Sequence, residues 1–383
     1  MEVNDQINTC TAPKTINVTT AIATGSSPVE IDSQLETYDI KDENSLDIVA
    51  LEQSRLLPQS VLDDILLHKG SFTMTFRATL KIEGQANRHV VVRRLLPELA
   101  ELEAHRLAFM GSISLAAALA HPNIVAFMGV YDPTLREYNL DEFLSPSWQD
   151  TQPSVVTEHM ANGDLRTMLR LHSRNKNEFG WFHSTSVPKT KVQVALDIVD
   201  ALVYLHSQPN TLLHHLQLMA KRVLLSELWD AKLCAFSVHR ALGTASTTSC
   251  TDSSVAWLAP ELLRGEPRSE QTDVYALGVL LTELDTCQLP FSLGMDMDDE
   301  MDEQTQLALL VSSGCIRPAL SIDCPLQIQE LVMRCLSFSP EQRSPAIEVQ
   351  HMLRKLINGT SICNLSLSSL PSNVSSLESI TID

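Results

Sequence analysis

The sequence predicts an α+β chain in two parts, a small strand-rich half followed by a larger, mainly helical one. Three observations carry that expectation. Short runs rich in β-branched residues stand at Phe72–Leu80, His89–Leu95, Val125–Tyr131 and Val155–His159. In the second half, apolar residues recur at spacings of three and four from Val192 to Leu205 and from Val274 to Leu284, which is the helical period. Hydrophobic residues make up 44% of the 383 positions and charged ones 20%, ordinary values for a chain with a packed core. That length holds one domain of about 250 to 300 residues plus tails.

Taken in order, residues 1–56 form an acidic tail rich in Ser and Thr, with no sustained apolar period, and disorder is expected there. Leu46 to Leu57 has the composition of a short helix docking on the domain. The small half is expected over 57–157, with a long helix from Pro97 to Ala120 between its second and third strands. A polar stretch, 132–153, carries Pro133, Pro146 and Trp148 and is read as a loop insertion; loops of that length are usually functional or disordered. The helical half follows over 158–357, and 358–383 reads as a Ser-rich tail.

The net charge of −19 argues against a nucleic-acid or anionic-membrane binder, since both need a basic face. Residues 1–58 hold ten Asp and Glu against Lys14, Lys41 and Arg55. No run approaches the ~18 apolar residues of a membrane span, and Met1-Glu2-Val3-Asn4-Asp5 lacks the features of a secretory signal. The eight cysteines are scattered without a C-x-x-C pair, so a disulfide framework or metal cluster is not expected. A cytoplasmic, reducing setting is the expectation.

Several motifs stand in one order. His121-Pro122-Asn123-Ile124-Val125 is followed by Val156-Thr157-Glu158-His159-Met160-Ala161-Asn162-Gly163-Asp164-Leu165. Trp257-Leu258-Ala259-Pro260-Glu261, Thr272-Asp273-Val274-Tyr275-Ala276-Leu277-Gly278 and Arg343 come later. Together they resemble the protein kinase superfamily, in the form of its tyrosine-kinase-like branch. The resemblance implies a two-lobed fold, with a small antiparallel-sheet lobe carrying one regulatory helix and a larger helical lobe. It also implies a gatekeeper at Thr157 and a buried Glu261–Arg343 pair, in which loss of one partner costs ~3–5 kcal/mol. Asp273 is expected to bond the backbone around His215, and an apolar column to run through Ala116, Phe127, His215 and Phe236.

The parts that carry the reaction are the ones that depart. Leu213-His214-His215-Leu216-Gln217-Leu218-Met219-Ala220-Lys221-Arg222-Val223-Leu224-Leu225 resembles H-R-D-L-K-x-x-N-V-L-L. Gln217 then stands at the catalytic base, Met219 at the Lys and Arg222 at the magnesium-binding Asn, while Ala235 stands at the Asp of D-F-G. An amide cannot take the proton of a substrate hydroxyl. Magnesium wants oxygen ligands, which Ala235 cannot supply, and a guanidinium a few Å from a dication repels it by several kcal/mol. Val90-Val91-Val92-Arg93 resembles V-A-I-K, with Val91 bulkier than the usual Ala, Arg93 at the Lys and Ser112 at its Glu partner. Of the glycine loop, His68-Lys69-Gly70-Ser71-Phe72-Thr73 keeps only Gly70, so phosphates lose close backbone approach.

The resemblance therefore implies a catalytically dead member, a pseudokinase that acts as a scaffold or allosteric regulator of signalling proteins, an active kinase among them. Phosphotransferase activity and metal are expected to be absent. Gly70, Val91, Arg93, Thr157 and Leu224 would line a vestigial nucleotide cleft. No cofactor is expected, ATP without magnesium being the one exception left open. The alternative is an ATP-binding serine/threonine or tyrosine kinase with atypical or residual activity. Two further stretches are noted: hydroxyl-rich Thr244 to Ser254, and the acidic run Met295 to Glu303, read as a solvated loop. Arg93, Arg94, Lys221 and Arg222 form a basic cluster whose arginines are read as pairing with local acids such as Glu98 or Asp164, with anion binding as the alternative.

Overall fold

The computed structural model describes residue 56 and residues 61–82, 84–131, 154–174, 178–208, 218–234, 255–292 and 303–368, with side chains at all of these except 62–64, 131 and 360–368. Residues 1–55 of the expected N-terminal tail, the 132–153 insertion, the Thr244–Ser254 stretch and the acidic run up to residue 302 lie outside the described residues.

The first half builds an antiparallel sheet in the order β1-β2-β3-β5-β4, from β1 (Val61–Lys69), β2 (Thr73–Leu80), β3 (Arg88–Leu95), β4 (Phe127–Tyr131) and β5 (Ser154–Glu158). In β3 the two-residue period sends Val90 and Val92 into a core with Ala78, Leu80 and Val156, leaving Val91 and Arg93 on the other face. β1 is not among the expected strands. Its apolar residues Ile65, Leu66 and Leu67 are consecutive and each about half exposed, so no alternation marks it, and its register with β2 shifts twice. Tyr131 pairs with Ser154, so β4 and β5 hold the two ends of the 132–153 stretch side by side. Leu56 donates its backbone N–H to Val130 O on β4.

The single helix expected from Pro97 to Ala120 is two, α1 (Pro97–Ala100) and α2 (Glu103–Ala117), separated by an extended Leu102. The reason is burial. Residues 101–104 are exposed in succession, so no packed face holds that turn in a helix. The buried stripe of α2, Ala108, Phe109, Ser112, Ile113 and Ala116, lies against Leu95, Val130 and Val155 of the sheet.

The second half is helical: α3 (Leu165–His172), α4 (Lys191–His206), α5 (Pro260–Leu263), α6 (Glu270–Thr286), α7 (Glu303–Ser312), α8 (Leu326–Cys335) and α9 (Ala346–Ser368), with a two-stranded sheet of β6 (Val223–Leu225) and β7 (Ala231–Leu233). The tail expected from residue 358 begins as the continuation of α9. α4 opens on a capping box between Thr190 and Gln193. α6 is buried throughout from Thr272 to Thr286. A Cβ at Gly278 would meet Cys335 and Leu336 at 2.9 Å, so glycine permits the close approach of α6 to the end of α8.

The two halves are stitched where the His121-Pro122-Asn123-Ile124-Val125 motif meets β7. Val125 N–H donates to Leu233 O, Leu233 N–H to Asn123 O, and the Asn123 amide to Ala231 O. The same bonding delays β4 to Phe127, two residues after the expected start. Lys232 on β7 donates to both carboxylate oxygens of Glu158 at the end of β5, at 2.7 and 2.9 Å.

Candidate functional site

Because β3 alternates, Val91 and Arg93 project from the same face and look across the sheet at Thr157 on β5 and Thr75 on β2. These residues roof a cleft whose floor is β6 and β7, where half-buried Leu224 pairs with Lys232. The sheet therefore brings Val91, Arg93 and Thr157 together as expected. Gly70 lies at the tip of the β1–β2 hairpin, its N–H donating to Thr73 O.

Arg93 reaches down to the floor. Its Nε donates to Thr75 Oγ1 at 3.4 Å, and Nη1 approaches Cys234 Sγ at 3.8 Å. Cys234 follows β7, and its N–H donates to Arg222 O. Arg222 ends a 3-10 turn, Ala220–Arg222, that enters β6 from Met219. Half-buried by area, it sits in dense enough surroundings that desolvation is the main influence on its guanidinium and pushes its pKa down. Cys234 opposes that shift, and the neighbouring charge of Arg93 adds to it. The two guanidiniums thus lie within electrostatic reach of each other.

Ser112, at the expected ion-pair position on α2, is buried, and its hydroxyl donates to Phe109 O of its own helix at 2.6 Å. Gln217 and Ala235, with His215 and Phe236, lie outside the described residues. The four basic residues do not form one group: Arg94 projects from the opposite face of β3, its guanidinium 4.4 Å from the Phe76 ring centre. One-residue alternation along a strand separates it from Arg93.

Two residues at this site escaped sequence reasoning. Phe72, at the hairpin tip, stacks on His105 of α2 with ring centres 5.9 Å apart and packs on the cluster that contains Phe109 and Ala116. Cys234 packs on that same cluster. Nothing in the sequence pattern marks either, beyond the place of Cys234 directly before Ala235.

The supports behind the cleft match the expectation where they are described. Arg343 grips Glu261 with two bonds, 2.6 and 2.8 Å, in a fully buried pair, and also donates to the carbonyls of Gln271, Ser337 and Phe338. Asp273 bonds His206 Nε2 at 3.1 Å, while the backbone around His215 is outside the described residues. Among the described residues, no group of three or more His, Cys, Asp or Glu is placed to hold a metal ion. A magnesium ion in this cleft would also meet Arg222 beside Arg93, and that cationic environment does not fit a dication.

The family described as protein tyrosine and serine/threonine kinase matches residues 64–353. The serine/threonine-protein kinase CTR1 of Arabidopsis thaliana is 27% identical over 253 residues, 65% of this chain and 26% of that relative. The serine/threonine/tyrosine-protein kinase HT1 of the same plant is 29% identical over 252 residues, 64% of this chain and 54% of its own length. The chain thus aligns with about a quarter of one relative and about half of the other.

Proposed function

The chain belongs to the protein tyrosine and serine/threonine kinase family, and from that premise we propose that it is a pseudokinase of the tyrosine-kinase-like type. It keeps the fold and does not transfer phosphate. Its work inside the cell is to bind and bias other signalling proteins, an active kinase among them. The observation that supports this reading is Arg222, which aligns with the family's magnesium-binding Asn and lies within electrostatic reach of Arg93. Phosphoryl transfer is mostly positioning and charge compensation by metal and lysine. A fixed cation in the metal's place opposes that compensation, and Gln217 offers no carboxylate as base.

The Trp257-Leu258-Ala259-Pro260-Glu261 ending favours the tyrosine-kinase-like branch. A second reading, an ATP-binding kinase with residual activity, draws on the printed names of CTR1 and HT1 as kinases.

The test is incorporation of labelled γ-phosphate into the protein itself and into myelin basic protein, with ATP and either Mg²⁺ or Mn²⁺. No incorporation above the protein-free control is expected. Incorporation that disappears in the Arg93→Met variant would overturn the proposal and establish the second reading.

A further inference from the structure

A pocket of about 220 Å³ lies away from the cleft, at the end of α6. We propose that it is a binding site for an apolar carboxylate, with the ring or branched chain in the pocket and the acid group on Arg317. The inference goes beyond the non-catalytic reading and does not depend on it.

The walls come from two segments. α6 ends at Cys287, whose left-handed backbone (φ 57°) turns the chain away from the helix. Leu289, Pro290 and Phe291 then line one side, and Ile316, Arg317 and Ala319, between α7 and α8, line another. Phe291 also has a left-handed backbone, φ 60°. That conformation strains a residue with a bulky side chain and persists only where the surroundings hold it. The second segment is pinned to α6: Ser321 N–H donates to Asp285 Oδ2 at 2.6 Å, while Asp285 Oδ1 accepts from Trp181 Nε1 at 2.8 Å. Walls held in this way spare a ligand the cost of ordering them.

A cavity of ~150 Å³ holds benzene, so this pocket has room for a ring with a short acid chain. The hydroxyls of Thr282 and Thr286, which also line it, donate within α6, to Val279 O and Thr282 O. Arg317 is different. It is the one charged residue among the described lining, it is exposed, and no described carboxylate or carbonyl pairs with it. The carboxylate of Asp285 is not in the lining, and both its oxygens are engaged. The site therefore combines apolar walls with a single cation at its mouth. A guanidinium fork matches the two oxygens of a carboxylate, and so small an acid group meets it without burying unpaired oxygens against those walls. A free aryl or alkyl acid and the C-terminal residue of a peptide share this chemistry.

The unaltered protein would be titrated with 4-fluorophenylacetate and with its neutral amide, 4-fluorophenylacetamide, binding being read from the broadening of the fluorine resonance. The acid should bind in the millimolar range or tighter. It should bind about fivefold more tightly than the amide, the size of effect that an exposed ion pair supplies. Arg317→Gln should bring the acid down to the level of the amide. Ala319→Leu, which fills the pocket from an exposed position, should abolish binding of both. Arg334→Gln, at an exposed position on α8 outside the lining, should change neither. Displacement of the fluorinated acid by N-acetyl-Gly-Gly-Phe, and not by its C-terminal amide, supports a peptide C-terminus as the source; no displacement supports a free acid. The inference is overturned if the acid does not bind at millimolar concentration, if acid and amide bind equally, or if Arg317→Gln leaves binding of the acid unchanged. Acid and amide are compared on one unaltered protein, so a variant that fails to fold does not blunt the test.

Discussion

Glu283 lies on α6 wholly inside the larger half. Its Oε2 accepts from Trp257 Nε1 at 2.8 Å and from Ala220 N–H at 3.2 Å. One carboxylate thus joins the approach to the Ala259-Pro260-Glu261 turn with the turn that carries Arg222. Arg166 stands 3.7 Å from Oε1, near enough to count as an ion pair, yet neither atom has a hydrogen-bond partner. Burial wins that contest and pushes the carboxyl up to about 7 from an ordinary 4.5. A carboxyl raised on folding stabilises the fold in its protonated form. Its contribution is full below about pH 4.5 and is lost as pH rises through 7. The swing is on the order of 3 kcal/mol. The difference in melting temperature between Glu283→Gln and the parent should therefore grow in favour of the variant from pH 5 to pH 8.5. Parallel curves would show that Glu283 is ionised throughout. At this scale the sequence was partly legible. Glu261 and Arg343 are far apart in the chain, but their motif spacings identify them as a pair. The partners of Glu283 depend on how three separate segments pack, which no spacing encodes.

Elements were legible where burial imposes a period. β3 and α4 each bury one face, and their apolar spacing reports it. β1 and the break at Leu102 were not legible, because half-exposed residues on an edge strand and four exposed residues in succession carry no period. The apolar column behind the cleft can be tested at this scale. Ala116 of α2 and Phe127 of β4 belong to one cluster with Phe109 and Ile113, so the large ring and the small methyl share a single volume. Phe127→Leu should leave a gap worth about 1 kcal/mol, lowering the melting temperature by roughly 2 °C. An unchanged melting curve would mean that the ring is not needed to fill that volume. Phe72 extends the same cluster to the tip of the β1–β2 hairpin, tying the glycine-poor loop to α2 in place of leaving it free over the cleft.

For the whole molecule, the fold was legible and the interior of the cleft much less so. Motif order placed the two lobes, since the residues that connect them, such as Asn123 and Glu158, recur at spacings set by the architecture. The convergence of Arg93 with Arg222 and Cys234 comes from β3 meeting the distant β6–β7 pair, and only their residue types were visible beforehand. The pairing of Tyr131 with Ser154 has a consequence of another kind. The sheet itself fixes both ends of the intervening stretch, so the fold sets no requirement on its length, and loop closure penalises added length only slowly. Replacing 132–153 with Asn-Gly, the two-residue hairpin turn, should yield a protein whose melting temperature equals or exceeds the parent's; unfolding would show that the stretch is part of the core. If the variant folds, this position is a splice point. Lineages can lengthen, shorten or exchange its contents, and so acquire new peptide ligands, without redesigning the scaffold that displays them.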